Sequence, residues 1–369
     1  MIGVAPATGT EAATTAVAAT ITLAIFVDVF MGRTLLTRRR RTHPPGCKIG
    51  GTASTTSARL CPVTTLPTWA DVERAERLIG ATLPPTPLIG DEGLMLKLES
   101  LQPTGSFKVR GALAGLDAID PQLRAVTASA GNHGLGLTWA AQRLGRQATV
   151  VTATSASPIK IDALRTLGAD LIQFGATYDD AERHAIGLAG PGSRYLSPYN
   201  DPSVIAGQAT IGCELATQHP GPLTVVCAAG GGGLAAGLGL WAAQHPGVRV
   251  VGVESAVSRA VSSAVAAGRQ VDVEVGDTIA DGISGNIEPG SVTIGLVARY
   301  VDRIVAVSEE QLRAAIRHLA LDRGVVAEGA GAVAVAAVLA GLVPDDRPVV
   351  AVVSGRNINP ATLAAILQG

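Results

Sequence analysis

Residues 223–238 read LTVVCAAGGGGLAAGL, and this stretch decides the fold class. The apolar and β-branched run at 223–228 predicts a buried strand, and the glycines that follow it predict a tight loop. The apolar residues after Gly233 predict a helix. A strand, a glycine loop and a helix in this order are typical of a parallel sheet covered by helices.

The same alternation continues on both sides of this unit. A helix is predicted near residues 159–167 with Gly168 as its cap, and Ser308 with Gln311 forms a capping box at the start of another helix. Further strands are predicted at residues 124–129, 148–153, 170–174, 248–253, 303–307 and 348–353. The architecture is therefore expected to be α/β.

Composition excludes several classes of protein. The chain has 369 residues, of which 47% are hydrophobic and 16% charged, so it is too apolar for a disordered protein and long enough for two domains. A net charge of −1 argues against a nucleic-acid partner, which requires a basic surface. Four cysteines without a C-x-x-C pair indicate neither disulfides nor zinc, and a cytoplasmic location is expected.

Residues 1–62 differ from the rest and are expected to lie outside the catalytic fold. A twenty-residue apolar run at 12–31 is broken only by Asp28, and a group of four arginines follows at 38–41. Two interpretations stay open. One is a disordered leader, and the other is a weak membrane anchor that leaves the catalytic part in the cytoplasm.

Three glycine-containing loops each follow a predicted strand and precede a predicted helix: SAGNHG at 129–134, the four glycines at 230–233, and SGRN at 354–357. Unpaired N–H groups at helix starts bind phosphate or carboxylate, and the four-glycine loop is the strongest such anion site. Gly231, Gly233 and Ala236, with Glu254 further on, also satisfy a dinucleotide-binding fingerprint. A nicotinamide-dependent dehydrogenase is therefore an alternative.

Lys108 is the strongest candidate for a catalytic residue. It lies in KLESLQPTGSFKVRGA at residues 97–112, at what is predicted to be a helix start after Pro103 and Gly105. N–H groups at such a start would lower the pKa of the amine, which could then form an imine. Taken alone, however, a lysine is usually a solvated surface charge.

Residues 104–112, TGSFKVRGA, resemble the cofactor-lysine motif of the fold-type II pyridoxal-phosphate enzymes, the family of serine/threonine dehydratases and serine racemase. The three loops resemble that family's asparagine loop, phosphate loop and pyridine-nitrogen loop, and they occur in the same order. The resemblance covers roughly residues 69–359. Supporting matches lie at residues 86–88, 197–201, 204–208, 278–282 and 328–332.

This resemblance implies two open, mostly parallel twisted sheets flanked by helices. Residues 63–123 and 201–369 would form a large domain that binds pyridoxal 5′-phosphate. Residues 124–200 would form a small domain that carries the asparagine loop, and the cofactor would lie between the two. An assembly of identical subunits is also expected.

The resemblance also implies a role for each site residue. Lys108 would bond covalently to the cofactor and later remove the Cα proton of the substrate, with Phe107 beside it. Asn132 would form a hydrogen bond with the cofactor's 3-oxygen, and Ser354 would form one with the pyridine nitrogen. Ser129, Asn132 and His133 would hold the substrate carboxylate, His133 through its backbone N–H. The phosphate would be bound by Gly230, Gly231, Gly232, Gly233 and Leu234.

The leading interpretation is a dehydratase that converts L-threonine, L-serine or a related β-hydroxy amino acid to a 2-oxo acid and ammonia. An amino-acid racemase is the alternative within the family, but Ala130 stands where racemases carry a serine. The family's divalent-metal site looks incomplete, because Glu254 matches one ligand while Ala260 replaces an acid, and no metal is expected. Leu135 and Arg356 also depart from the family pattern.

Overall fold

The strands of this chain form two sheets that use separate stretches of sequence. The computed structural model describes residues 65–344 and 346–369, so the expectations for residues 1–62 lie outside the described part. The six-stranded sheet has the order β1-β2-β10-β7-β8-β9, and the four-stranded sheet has the order β5-β4-β3-β6. The strands are β1 Leu88–Asp91, β2 Leu94–Lys97, β3 Arg124–Ala128, β4 Ala148–Thr152, β5 Asp170–Gln173, β6 Ser193–Tyr195, β7 Leu223–Ala228, β8 Val248–Ser255, β9 Arg303–Val307 and β10 Val349–Val352.

Helices follow most of these strands, as the sequence pattern predicts. They are α1 Trp69–Thr82, α2 Lys108–Asp117, α3 Asn132–Leu144, α4 Pro158–Thr166, α5 Tyr178–Gly187, α6 Pro202–Gln218, α7 Gly233–Ala242, α8 Ala260–Ala267, α9 Thr293–Tyr300, α10 Glu309–Leu321, α11 Gly329–Leu339 and α12 Pro360–Gln368. The capping box at the start of α10 is confirmed, and Gly168 adopts the expected left-handed conformation with φ +80° after α4. None of the helices in the described part is long and apolar enough to cross a membrane.

The strand predictions are confirmed with small shifts at the ends. β7 and β9 have the predicted bounds, whereas β3, β4 and β5 each end one residue earlier than predicted. All pairings are parallel except the β1–β2 hairpin, which the sequence pattern did not reveal. The continuous burial of β7 and β10 agrees with a parallel sheet that is covered on both faces.

The topology gathers the candidate loops at strand ends. β10 lies between β2 and β7 and is parallel to both, so the chain leaves all three strands at the same edge of the sheet. The segment before Lys108, the four-glycine loop and the loop at Ser354 follow these strands. Ligands of open α/β sheets bind at this carboxyl edge.

All strands of the four-stranded sheet lie within the predicted small domain, residues 124–200. Its two faces pack differently. Ala125 and the helix α3 contribute to the large core that they share with α2, whereas Val126, Val151 and Ala181 belong to a second, smaller core. The division of the chain into two domains stays a prediction.

Candidate active site

Lys108 is the first residue of α2, as the sequence predicts. Its Nζ donates a hydrogen bond to the carbonyl oxygen of Pro198 at 2.8 Å and lies 5.3 Å from the centroid of the Phe107 ring. Burial lowers the pKa of the amine to about 8, and the carboxyl group of Glu328 opposes this shift. Burial is thus the main cause of the lowered pKa, rather than the helix N–H groups that the sequence suggested. Near pH 8 much of the amine is neutral and nucleophilic.

The four-glycine loop forms a cradle of backbone amides at the start of α7. Gly232 has φ +84°, a conformation that favours glycine. The N–H groups of Gly230, Gly231, Gly232 and Gly233 have no hydrogen-bond acceptor within the described residues. Together with the start of α7, they form an anion-binding site, and Leu234 in the first turn of the helix is buried.

The segment between β6 and α6 packs against the four-glycine loop. A Cβ atom on Gly231 would lie 2.4 Å from the ring of Tyr199, and one on Gly233 would lie 2.6 Å from its carbonyl oxygen. Pro198, the neighbour of Tyr199, accepts the hydrogen bond from Lys108. Two adjacent residues therefore join the lysine to the phosphate cradle. Sequence reasoning quoted this segment as a family match but assigned no role to it.

The asparagine loop begins α3 close to the lysine. A Cβ atom on Gly136 would lie 3.1 Å from the backbone nitrogen of Val109, so the first turns of α2 and α3 pack closely. Asn132 is the first residue of α3, and Ser129 Oγ accepts a hydrogen bond from the N–H of Gly131 at 3.2 Å. The start of α3 thus faces the region around Lys108, as expected for a carboxylate-binding helix start.

His133 is buried, with 2% of its surface exposed. Burial and the nearby charge of Lys108 lower the pKa of its ring to about 3. The imidazole is therefore neutral at physiological pH and only a weak base, which is compatible with the expectation that His133 acts through its backbone.

The serine loop follows β10. Ser354 is buried, and its hydroxyl donates a hydrogen bond to the carbonyl oxygen of Ala330 at 3.1 Å. The N–H of Phe107 donates to the carbonyl oxygen of Ser354 at 3.0 Å, which fixes the serine loop next to Lys108. A neutral hydroxyl is thus available next to the lysine.

Glu328 is a site residue to which sequence reasoning assigned no role. It caps α11, and its Oε1 accepts a hydrogen bond from Asn132 Nδ2 at 2.6 Å. Burial raises the pKa of its carboxyl to about 7, while Asn132 opposes this shift. The only signal was its place in the family match at residues 328–332. Glu328 and Lys108 are thus two groups that titrate near neutral pH and lie within reach of each other's charge.

The dinucleotide interpretation is wrong at Glu254. This carboxylate should be free to bind a ribose, but it is 1% exposed and accepts hydrogen bonds from the N–H groups of Val261 at 2.6 Å and Ser262 at 3.2 Å. It therefore caps α8. No cluster of three or more histidine, cysteine, aspartate or glutamate residues able to hold a metal ion occurs in residues 65–344 and 346–369.

Arg356 and Leu135, the two residues that depart from the family pattern, have different environments. The guanidinium of Arg356 donates a hydrogen bond to the carbonyl oxygen of Ser100, in a 3₁₀ turn after β2. The side chain of Arg356 therefore connects the serine loop to this turn rather than extending into solvent. Leu135 is half-buried in the first turn of α3.

These residues fit pyridoxal phosphate. Within the described residues, the amides at residues 230–233 lack acceptors and can bind a phosphate. A lysine amine of lowered pKa can bond to an aldehyde, and Asn132 and Ser354 offer neutral polar groups. When bound, the cofactor supplies an electron sink for negative charge at the substrate Cα.

The family model described as pyridoxal-phosphate dependent enzyme matches residues 81–355. A protein of Thermotoga maritima named L-threonine ammonia-lyase is 42% identical over 280 residues, which cover 74% of this chain and 70% of that protein. Threonine deaminase isoform 2 from Solanum lycopersicum aligns with a TM-score of 0.74 and 30% identity, over 82% of this chain and 94% of its own. Serine racemase from Dictyostelium discoideum aligns with a TM-score of 0.72 and 27% identity, over 79% and 99%.

The matched region contains Lys108, the asparagine loop, the four-glycine loop and Ser354. The fold expected from the resemblance, parallel sheets flanked by helices, agrees with these structural neighbours. The chain therefore belongs to the pyridoxal-phosphate dependent enzymes.

Proposed function

We propose that this protein is an ammonia-lyase that converts L-threonine, L-serine or a related β-hydroxy amino acid to a 2-oxo acid and ammonia. The observation that carries the proposal is the placement of Lys108, whose amine has a lowered pKa and lies beside the phosphate cradle and the asparagine loop. The likeness to the L-threonine ammonia-lyase of Thermotoga maritima supports the same reaction class.

Each group of the site has a task in this reaction. The amides of residues 230–233 bind the cofactor phosphate, and Leu234 is buried in the first turn of α7 that follows them. The N-terminal turn of α3, with Ser129, Asn132 and His133, holds the substrate carboxylate through N–H groups. These contacts fix the Cα–H bond of the substrate in front of Lys108, which is the orientation that proton removal requires.

Lys108 acts as the base in this proposal. Its neutral amine takes the Cα proton, and the β-hydroxyl leaves with a proton as water. The released enamine then shifts a proton from nitrogen to Cβ and becomes an imine, and water adds to its C=N bond, which releases ammonia and leaves the 2-oxo acid. Ser354 contributes a neutral hydroxyl to the ring nitrogen, in exchange for its hydrogen bond to Ala330. A neutral partner gives a weaker electron sink than a carboxylate would, which favours prompt loss of the β-group.

A substrate panel tests this function. The purified full-length protein is incubated with L- and D-forms of serine, threonine, and aryl or acidic β-hydroxy amino acids, and the release of 2-oxo acid is measured. We expect release of 2-oxo acid from L-threonine or L-serine. Lys108→Ala is the control for a contaminating lyase, and absence of release from every β-hydroxy amino acid would contradict the proposal.

Racemisation is the second candidate, because the chain also resembles serine racemase from Dictyostelium discoideum. Inversion at Cα needs a second proton donor on the opposite face of the ring, and Ala130 supplies none. Ala130→Ser adds one hydroxyl at a half-buried position of the asparagine loop. We expect this variant to form more D-serine per 2-oxo acid released from L-serine than the wild type does. A wild type that already racemises L-serine as fast as it deaminates it would make Ala130 irrelevant.

The proposal also includes three further features of the protein. These are a two-domain arrangement around the cofactor, a cytoplasmic location and an assembly of identical subunits. Size-exclusion chromatography with light scattering tests the assembly, and a monomer at micromolar concentration would contradict it.

A further inference from the structure

Asn357 contacts the asparagine loop from the serine loop. Its Nδ2 donates hydrogen bonds to the carbonyl oxygen of Thr104 at 2.8 Å and to Asn132 Oδ1 at 2.6 Å. Asn132 in turn donates from Nδ2 to Glu328 Oε1 at 2.6 Å. Four segments thus share a continuous chain of polar groups, formed by Thr104, Asn357, Asn132 and Glu328.

The two ends of this chain fix the orientation of both amides. The oxygen of Thr104 is a backbone carbonyl and can only accept, so the NH₂ group of Asn357 must face it. The same NH₂ group also faces Asn132, which must therefore present its oxygen. At the other end, the carboxylate of Glu328 accepts from the NH₂ group of Asn132, and it requires the same orientation.

The donor count of Asn132 then leaves one hydrogen for a ligand. An amide NH₂ group has two hydrogens, and Glu328 takes one of them. No second acceptor for Asn132 Nδ2 occurs among the residues that the structure describes. Asn357 uses one of the two lone pairs of the Asn132 oxygen. The unused hydrogen of Asn132 Nδ2 is therefore the donor that this orientation offers to a ligand.

We propose that Asn357 is a positioning residue that holds Asn132 as a hydrogen-bond donor to the 3-oxygen of pyridoxal phosphate. This inference rests on the role proposed for Asn132. Without Asn357, Glu328 alone would hold the Asn132 amide in this orientation. The turned state, which presents the oxygen of Asn132 to a ligand in place of the N–H donor, would then be populated more.

The surroundings of Asn357 suit this role better than a role in stability. The residue is exposed, so its truncation leaves no cavity. The backbone conformation nevertheless allows Asn357 to approach Gly105 closely. Gly105 has φ +77°, and a Cβ atom on it would lie 2.3 Å from Asn357 Oδ1. Arg356 next to it donates its N–H to the carbonyl oxygen of Gly105 at 2.9 Å, which keeps the two loops together.

Cofactor binding without substrate tests the inference. The full-length protein is stripped of its cofactor and titrated either with pyridoxal phosphate or with the analogue that lacks the 3-hydroxyl, and binding is followed by absorbance. We expect Asn357→Ala to weaken binding of pyridoxal phosphate about tenfold, the effect of one misdirected polar contact. For the analogue the same substitution should change the affinity less than about twofold, because the contact is absent there.

A double-mutant cycle separates positioning from direct contact. In the Asn132→Ala background, Asn357→Ala should have no further effect on either cofactor, since Asn357 acts through Asn132. Asn359→Ala is the matched control. This asparagine lies two residues away and accepts from the N–H of Ala361 at 2.9 Å as the cap of α12. The control should lower the melting temperature slightly and leave both affinities unchanged.

Three results would overturn the inference. Equal weakening of both cofactors by Asn357→Ala would indicate a general loop-holding role, and unchanged binding of both would indicate no role. If Asn132→Ala itself does not distinguish pyridoxal phosphate from the analogue, the contact that Asn357 would position does not exist. None of these results bears on the proposed reaction, which the substrate panel and Lys108→Ala decide separately.

Discussion

Two basic residues of α2, Lys108 and Arg110, are separated by one residue and have opposite environments. Arg110 is fully buried and pairs with two carboxylates, through Nε to Glu99 at 2.8 Å and through Nη2 to Glu214 at 2.7 Å. Burial opposes its charge, but both carboxylates raise its pKa above the usual value. Lys108 instead has one carbonyl partner, and burial lowers its pKa.

The network around Arg110 extends to a second buried cation. Lys97 Nζ contacts Glu214 Oε2 at 2.5 Å, the carbonyl oxygen of Thr86 at 2.7 Å and Gln218 at 2.8 Å. Every donor of that lysine has a partner. Burial lowers the pKa of Lys97, but the carboxylate of Glu214 opposes this shift. A buried cation paired with a carboxylate is favoured in its charged form, whereas one left with a neutral partner loses its proton more easily. The difference supports the proposal that Arg110 belongs to the scaffold and Lys108 to the reaction.

The largest expected effect is that of Lys108→Ala. It should abolish the visible absorbance of the bound cofactor and reduce turnover by several orders of magnitude, because the covalent link and the base are lost together. The melting temperature of the cofactor-free protein should change little, since the amine has no charged hydrogen-bond partner. An active Lys108→Ala enzyme would remove this residue from the reaction.

Arg110→Met should mainly reduce the free energy of unfolding, whereas Lys108→Ala should mainly reduce turnover. It leaves the carboxylates of Glu99 and Glu214 without their main partner in a buried site, which should cost about 3–5 kcal/mol of unfolding free energy. Denaturant unfolding measures this loss. Arg74→Met is the control, because Arg74 forms an exposed pair with Asp71 at 2.6 Å and should change stability by about 0–1 kcal/mol. Similar losses in the two variants would show that burial of the Arg110 network adds nothing.

The pH dependence of cofactor capture sharpens the contrast between the two residues. The amine reacts in its neutral form, so the capture rate of the cofactor-free protein should rise with pH and level off above the pKa of Lys108, about 8. Stopped-flow absorbance measures this rate. Glu328→Gln removes the negative charge that favours the protonated amine, and the midpoint should move to lower pH. A rate that still rises tenfold between pH 9 and 10 would indicate an ordinary lysine.

The smallest effect is expected for Ser354→Ala. A neutral hydrogen bond contributes about 0.5–1.5 kcal/mol, which corresponds to a decrease of about 2- to 10-fold in kcat/KM for the proposed substrate. The cofactor should still bind to Lys108, and its absorbance should persist. Equal losses for Ser354→Ala and Lys108→Ala would contradict the separate roles assigned to them.

Local patterns predicted much of this arrangement. The run at residues 223–228 and the four glycines gave the strand, the loop and the start of α7, because hydrophobic periodicity and glycine conformation act over a few residues. The short hairpin of β1 and β2 was missed, since four-residue strands carry too little periodicity. Glu328 and Asn357 received no role, because they meet Asn132 across 196 and 225 residues.

The sequence by itself determined the α/β class and the order of the three loops, which depend on residue type and local spacing. Lys108 was identified as the candidate reactive lysine from its motif, TGSFKVRGA, which resembles that of a known family. Only the tertiary structure decided which charges are compensated. The pKa of Lys108 is lowered by burial among segments that are distant in sequence. The carboxylate of Glu254 accepts hydrogen bonds from the first turn of α8 and is not free to bind a ligand. Desolvation and hydrogen-bond satisfaction depend on what the folded chain brings into contact, and a linear pattern does not contain that information.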